Sequence, residues 1–347
     1  MSDKNILITQ EIGSFRKPEY LSRTFHSIEG KPEFQDVAGR ASIETLKLFS
    51  DSGIMNHGIA GEMFRWEMYE YLARKIRNIE FHGKVRSFDN RYYNKGSVSG
   101  EISLVESPHA DELEFILKHT DAPLKIPITG PYTMADWSFN DHYGTRLELA
   151  NAFADLIRGE IEYIHGVWRK YRGDEIMQVQ IDEPAATTHP SEMDIVIESV
   201  NRSVQGLTGL ETSIHVCYSK DYRMLYDRLP DLHLDGLNLE YSNRDLLQLG
   251  TGESARPGFS DIKYFTQINA SLNVPKFLGI GVTDVHIDTV ESVELITDRI
   301  REALRYVEKP EIIRLNPDCG LRTRSREIGF KKLKNMSLAR EIIMDEL

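Results

Sequence analysis

The sequence predicts a closed α/β barrel of the (β/α)8 type, a TIM barrel, and three observations carry that expectation. Short β-branched runs near residues 7, 56, 126, 179, 214, 238, 279 and 314 read as eight strands, mostly separated by helix-patterned segments. The length, 347 residues, suits one such barrel with loops and an insertion. Reactive or hydrogen-bonding side chains stand at the C-terminal ends of the runs, where barrel enzymes keep their chemistry: Ser14, Glu62, Trp137, Asp182, His215 with Cys217, Glu240, Asp284 with His286, and Cys319. A doubly wound open sheet is the other arrangement that such alternation allows.

The first run, Ile6-Leu7-Ile8-Thr9, leads into Glu11-Ile12-Gly13-Ser14, where the glycine marks a tight turn. A helix is expected near 38–52 and a short strand at 54–59. Gly61-Glu62-Met63-Phe64-Arg65 reads as a loop feeding a helix that ends near Asn78, with Glu62 and Arg65 in its first turn, where the helix dipole favours a carboxylate. Residues 81–103 are rich in Gly, Ser, Asn and Tyr and alternate as strands do, so an inserted β-hairpin is expected there, with Arg91-Tyr92-Tyr93 at its tip. Helices near 109–119, 143–171, 190–207, 220–229, 259–272, 289–307 and from about Ser325 onward complete the alternation. The strand Ile176–Ile181 ends in Asp182-Glu183-Pro184, and the proline makes helix capping a poor account of both carboxylates.

Composition narrows the function. Hydrophobic residues make up 40% of the chain, enough for one large core, and no linker divides it, so a single domain spanning 1–347 is expected. The net charge is −12 with no basic stripe, which argues against nucleic acid as a partner. No apolar run approaches 18 residues and no signal peptide is visible, so neither a membrane span nor secretion is expected.

The chain has two cysteines, more than 100 residues apart, which do not make a disulfide scaffold. In Ile214-His215-Val216-Cys217 the strand period puts the imidazole and the thiol on one face. Cys319 follows the run Ile312–Leu315, and Glu240 ends the run Leu237-Asn238-Leu239. Two thiolates, an imidazole and a carboxylate at strand ends suit a tetrahedral zinc ion. Thiolate ligands fit a reducing cytoplasm.

Ordered motifs then identify a relationship. Ile-Gly-Ser-Phe, Gly-Glu-x-x-Arg-x-x-Met-x-Glu-Tyr, Thr-Gly-Pro-x-Thr, Gln-Ile-Asp-Glu-Pro-Ala, His-x-Cys-Tyr-Ser, Asp-x-His and Asn-Pro-Asp-Cys-Gly-Leu-x-Thr-Arg follow one another between Ile12 and Arg324. The set resembles the catalytic C-terminal half of cobalamin-independent methionine synthase. The resemblance implies zinc on His215, Cys217, Glu240 and Cys319. It implies that Ile12, Ser14, Glu62 and Asp182 hold the amino-acid part of L-homocysteine, and that His286 shuttles a proton with help from Asp284. Arg91, Tyr92 and Trp137 match positions beside the methyl donor. The N-terminal barrel that grips folate in the long members has no counterpart, so the chain looks like the short, core-only form. The donors in view are therefore methylcobalamin, a methylated corrinoid protein or a methylfolate.

Two other functions stay open on the residues: zinc-dependent alkyl transfer to a different thiol such as coenzyme M, and a zinc-stabilised module that binds a corrinoid partner. Glu62 and Asp182 argue against the first, because both would repel a sulfonate. A closed structural zinc site would need neither the carboxylates nor His286.

Overall fold

β-branched and aliphatic runs bounded by glycine, proline and aspartate form strands at seven of the eight expected places, all but the one near 56. In the computed structural model, which describes residues 6–87 and 92–347, the strands are β1 (Ile8–Thr9), β2 (Ile79–Arg86), β3 (Tyr92–Val98), β4 (Lys125–Thr129), β5 (Ser138–Asn140), β6 (Met177–Asp182), β7 (Leu210–Val216), β8 (Gly236–Leu239), β9 (Phe277–Thr283) and β10 (Ile313–Pro317). Seven of them make one parallel sheet in the order β1-β10-β9-β8-β7-β6-β4. First and last strands are neighbours, with Ile8 opposite Arg314 and Thr9 opposite Leu315. Arg340, on the terminal helix Arg326–Glu346, fastens the start of the chain through the Ile6 and Leu7 carbonyls.

The sheet is an open, barrel-like one of seven strands, against the closed eight that the sequence predicts. Its edges, β1 and β4, do not pair. The run expected as a strand near 56 forms only an isolated bridge, Gln10 to Asn56. Four close-set residues stop it from extending: Gly58, Ala60, Gly61 and Glu62 all hold positive φ, between 53° and 70°. The segment still touches both edges. Met55 and Asn56 N–H groups donate to Thr9 O, His57 N–H donates to Pro123 O and Lys125 N–H to Gly58 O.

The expected hairpin is present as the antiparallel pair β2 and β3, and β5 adds to β3 in parallel to complete a small mixed sheet. Two helical readings change. The helix after Glu62 is confined to Met68–Ala73, because Glu67 caps it by accepting the Glu70 N–H, so Glu62 and Arg65 lie in the turn before it. A helix at Glu19–Ile28 was not foreseen; it buries only Leu21 and Phe25. The long helix Arg146–Arg172 starts where Thr145 and Glu148 make a reciprocal capping box. Among the described residues no helix is long and apolar enough to cross a membrane.

The inside of the parallel sheet is polar. Strand alternation puts Gln178, Gln180 and Asp182 of β6 on one face, level with Glu211, Ser213 and His215 of β7. Asn238 of β8 joins them: its Nδ2 donates to Gln180 Oε1 at 2.9 Å and Ser213 Oγ at 3.2 Å, and its Oδ1 accepts from Gln10 Nε2 at 2.6 Å. Room for these amides comes from β9. A Cβ on Gly279 would stand 2.1 Å from Asn238 Oδ1 and 2.5 Å from Asn316 Oδ1.

That crowding sets a stability test. Gly279→Ala should lower the denaturation midpoint, by about 1–3 kcal/mol of stability, as overpacking does. Gly159 is an exposed helical glycine with nothing within 4 Å of an added Cβ, so Gly159→Ala should instead add up to about 1 kcal/mol. Equal stability of Gly279→Ala and the parent would contradict the amide packing.

Candidate active site

Three donors meet at the C-terminal ends of β7 and β10. The ligand-capable atoms of His215, Cys217 and Cys319 all lie within 4.8 Å of one another. His215 ends β6–β7 pairing opposite Asp182, and its Nδ1–H donates to the Asn238 carbonyl at 2.9 Å. A carbonyl only accepts, so the neutral ring keeps its lone pair on Nε2. That Nε2 is buried and makes no hydrogen bond. Two thiols and an oriented imidazole are the donor set that a thiophilic divalent metal prefers. Without a cation the cluster suits its own thiols poorly. The contact with Cys319 and then burial push the Cys217 thiol well up, and a bound dication would reverse that.

Glu240, the fourth ligand in the sequence reading, lies beside the cluster and outside the three-donor group. One carboxylate oxygen accepts the Tyr218 N–H at 2.8 Å and Asn243 Nδ2 at 2.7 Å, and the other faces His286 Nε2 at 3.4 Å. Burial alone would lower the His286 pKa, but the Glu240 carboxylate outweighs it and raises the ring to about 9. Asp284 holds the backbone of His286 rather than its ring, accepting the His286 N–H at 2.7 Å.

One cavity takes in most of the remaining sequence-predicted residues. Ile12, Ser14, Glu62, Asp182, Tyr92 and Trp137 line it together with His215, Cys217 and Cys319. Arg91 lies outside the described residues. Asp182 receives Gln180 Nε2 at 2.8 Å, and burial pushes its carboxyl up to about 7, with His215 opposing and Glu62 adding to the rise. Glu62 holds φ +60°, and Lys17 Nζ ties down its carbonyl at 2.9 Å. Trp137 stacks on Tyr93 with centroids 4.8 Å apart.

The two carboxylates at the end of β6 divide their work. Asp182 faces the cavity, whereas Glu183 is fully buried and accepts the Tyr132 and Thr133 N–H groups and the Thr133 hydroxyl, capping the turn after Gly130. Reading the sequence missed that cap because the capped helix lies 50 residues upstream. It also missed Asp318, whose carboxylate accepts the Tyr241, Ser242 and Asn243 N–H groups and so binds the Cys319 turn to the Glu240 turn. Arg322 and Tyr218 line the cavity too; Tyr218 stands inside His-x-Cys-Tyr-Ser, which was the available signal, whereas Arg322 fills the unspecified position of Leu-x-Thr-Arg.

Comparison with known proteins agrees with this geometry. Residues 7–341 match the family described as cobalamin-independent synthase, catalytic domain. The methionine synthase of Thermoplasma acidophilum is 60% identical over 341 residues, covering 98% of this chain and 99% of that one. The methionine synthase of Pyrococcus furiosus is 36% identical over 347 residues, covering 99% and 94%. A solved B12-independent methionine synthase from Shewanella sp. W3-18-1, in complex with selenomethionine, superposes with a TM-score of 0.77 at 23% identity, covering 98% of each chain, and speaks to the fold alone. With a family match over nearly its whole length and relatives at this identity, the chain belongs to the cobalamin-independent methionine synthase family, as its core catalytic domain.

Proposed function

We propose that this protein transfers a methyl group to the thiol of L-homocysteine to make L-methionine, using one zinc ion held by His215, Cys217, Cys319 and Glu240. The observation that carries the reading is a soft three-donor cluster sharing one cavity with two carboxylates, Asp182 and Glu62. Bound there, zinc would let the substrate sulfur enter as a thiolate at neutral pH, where a free thiol is largely protonated. Glu240 is the oxygen donor of the set, and its bonds from Tyr218 N–H and Asn243 keep its charge satisfied in the interior.

The other residues hold the substrate and the proton. Asp182 and Glu62 pair with the ammonium group, which would otherwise lose its hydration without a partner. Ile12 and Ser14 complete the grip on the amino-acid end. His286, which faces Glu240 at 3.4 Å, is placed to give a proton to the departing donor, and Asp284 fixes the loop that carries it. Tyr92 and Trp137, with Arg91, flank the donor side, where methylcobalamin, a corrinoid protein or a methylfolate would present its methyl group. Coenzyme M would bring a sulfonate against the same two carboxylates, which favours the amino-acid thiol.

The chain works as one catalytic domain in a reducing cytoplasm. Residues 54–58 serve as an eighth stave that completes the (β/α)8 barrel, a reading supported by their hydrogen bonds to Thr9 on one side and to Pro123 and Lys125 on the other.

Purified protein should contain one zinc per chain by metal analysis, and a Cys217→Ser, Cys319→Ser double variant should contain essentially none. Retention of zinc by that variant would remove the proposed site. Asp182→Asn keeps the shape and removes the charge. It should lower kcat/KM for homocysteine by roughly 30- to 150-fold, the value of about 2–3 kcal/mol for a buried charged hydrogen bond, at unchanged zinc content. Unaltered kcat/KM in Asp182→Asn, together with wild-type preference for mercaptoethanesulfonate, would point to coenzyme M instead. Assays with methylcobalamin, methylfolate monoglutamate and methylfolate triglutamate separate the donors.

A further inference from the structure

We propose that a ladder of five buried charges, Arg256–Asp245–Arg299–Glu291–Lys332, is a positioning device that sets His286 against Glu240. The inference rests on the methyl-transfer reading for the role of His286, but its geometry stands apart. Glu240 and His286 come from different strand ends, 46 residues apart in sequence, and meet at 3.4 Å. Each is followed five residues later by a buried anion: Asp245 after Glu240, Glu291 after His286. The Arg299 guanidinium joins the two anions, donating to Asp245 Oδ2 at 3.0 Å and to Glu291 Oε1 at 3.4 Å. It also donates to Val282 O at 2.8 Å, so the bridge is referenced to β9 itself.

The ends of the ladder reach the two loops. Arg256 Nη1 pairs with Asp245 at 2.5 Å, and the same guanidinium donates to the carbonyls of Leu246, Gln248 and Gly250, which fixes the loop after Glu240. Glu291 Oε1 accepts the Asp284 N–H at 2.6 Å, and Asp284 Oδ1 in turn accepts the His286 N–H. Lys332, on the terminal helix, donates to Glu291 Oε2 at 2.7 Å and to Thr289 O, and Asn335 donates to Glu291 O. All five side chains are fully buried, and none lines the substrate cavity. Buried ion pairs seldom stabilise more than apolar residues of the same volume would. A chain of directional contacts between two catalytic loops supplies what an apolar core cannot, a fixed distance and orientation.

The test is Glu291→Gln, which keeps an acceptor for Asp284 N–H and removes the charge that holds Arg299 and Lys332. It should lower kcat with homocysteine by about tenfold, the scale of a small misplacement of a catalytic group. KM for homocysteine and zinc content should stay at wild-type values. In protein labelled with 15N at the histidine rings, the His286 signals, assigned by their loss in His286→Asn, should shift or broaden. That reading needs no turnover, so it fails independently of the methyl-transfer reading. Wild-type kcat and unmoved His286 signals in a variant of lower Tm would make the ladder a brace only and overturn the proposal. Loss of zinc, or a rise in KM alone, would overturn it as well. Lys332→Arg, which keeps the charge and displaces it, applies the same readouts if Glu291→Gln does not fold, with a smaller fall in kcat expected.

Discussion

The site depends on one residue that never reaches the cavity. Asn238 joins Gln10, Gln180 and Ser213 through its amide and orients His215 through its carbonyl. Gln180 passes the same order on to Asp182 and to the Ile12 carbonyl. A substrate-carboxylate candidate is thus set by a side-chain amide network, and a metal-ligand candidate by the main-chain carbonyl of the same Asn238, where barrels of this class usually hold branched apolar residues. An apolar interior would be less demanding, but it could not choose the rotamer of Asp182. The cost is geometric: the amides fit only because β9 offers a bare backbone at Gly279.

Charge shapes the cavity as strongly as packing does. Glu62, Asp182 and Glu240 crowd around two thiols, with His215, His286 and the nearby Arg65 as the opposing groups. Arg65 is itself held by Glu112 at 2.7 Å and by the Pro127 carbonyl at 2.6 Å, so it cannot swing in to neutralise Glu62 fully. An arrangement this rich in anions attracts cations, and the proposed ligands supply two of them, a metal ion and an ammonium group. Burial presses the Asp182 and Glu240 carboxyls toward their neutral forms.

Much of this was legible before any coordinates. Strand period alone put His215 and Cys217 on one face, and the rule that barrel chemistry gathers at strand ends collected Asp182, Glu62 and Cys319 around them. Most of what escaped the sequence depends on partners far away in the chain, and the rest on local backbone conformation. The turn at 58–62 reads as an ordinary strand end until four consecutive or near-consecutive positive φ values forbid extension. Beside Pro184, Glu183 reads as a poor helix cap, yet it caps the distant turn at Tyr132 and Thr133. Glu240 was visible as a donor, but its bonds to Tyr218 and Asn243 were not. Arg299 gives no signal in the sequence, and only the fold brings it against Asp245 and Glu291.

The pairing of β1 with β10 bears on how the protein is made. Synthesis runs from one end, yet the first strand has no neighbour on that side until residues 313–317 exist, and Arg340 then clamps it from the helix Arg326–Glu346, made later still. The donor cluster obeys the same clock, since Cys217 waits for Cys319, about a hundred residues later. At ribosomal speeds of about 5–20 residues per second, that delay is roughly 5–20 s. Throughout it His215 and Cys217 stand without their third donor, so the cluster is completed only by the strand that delivers Cys319.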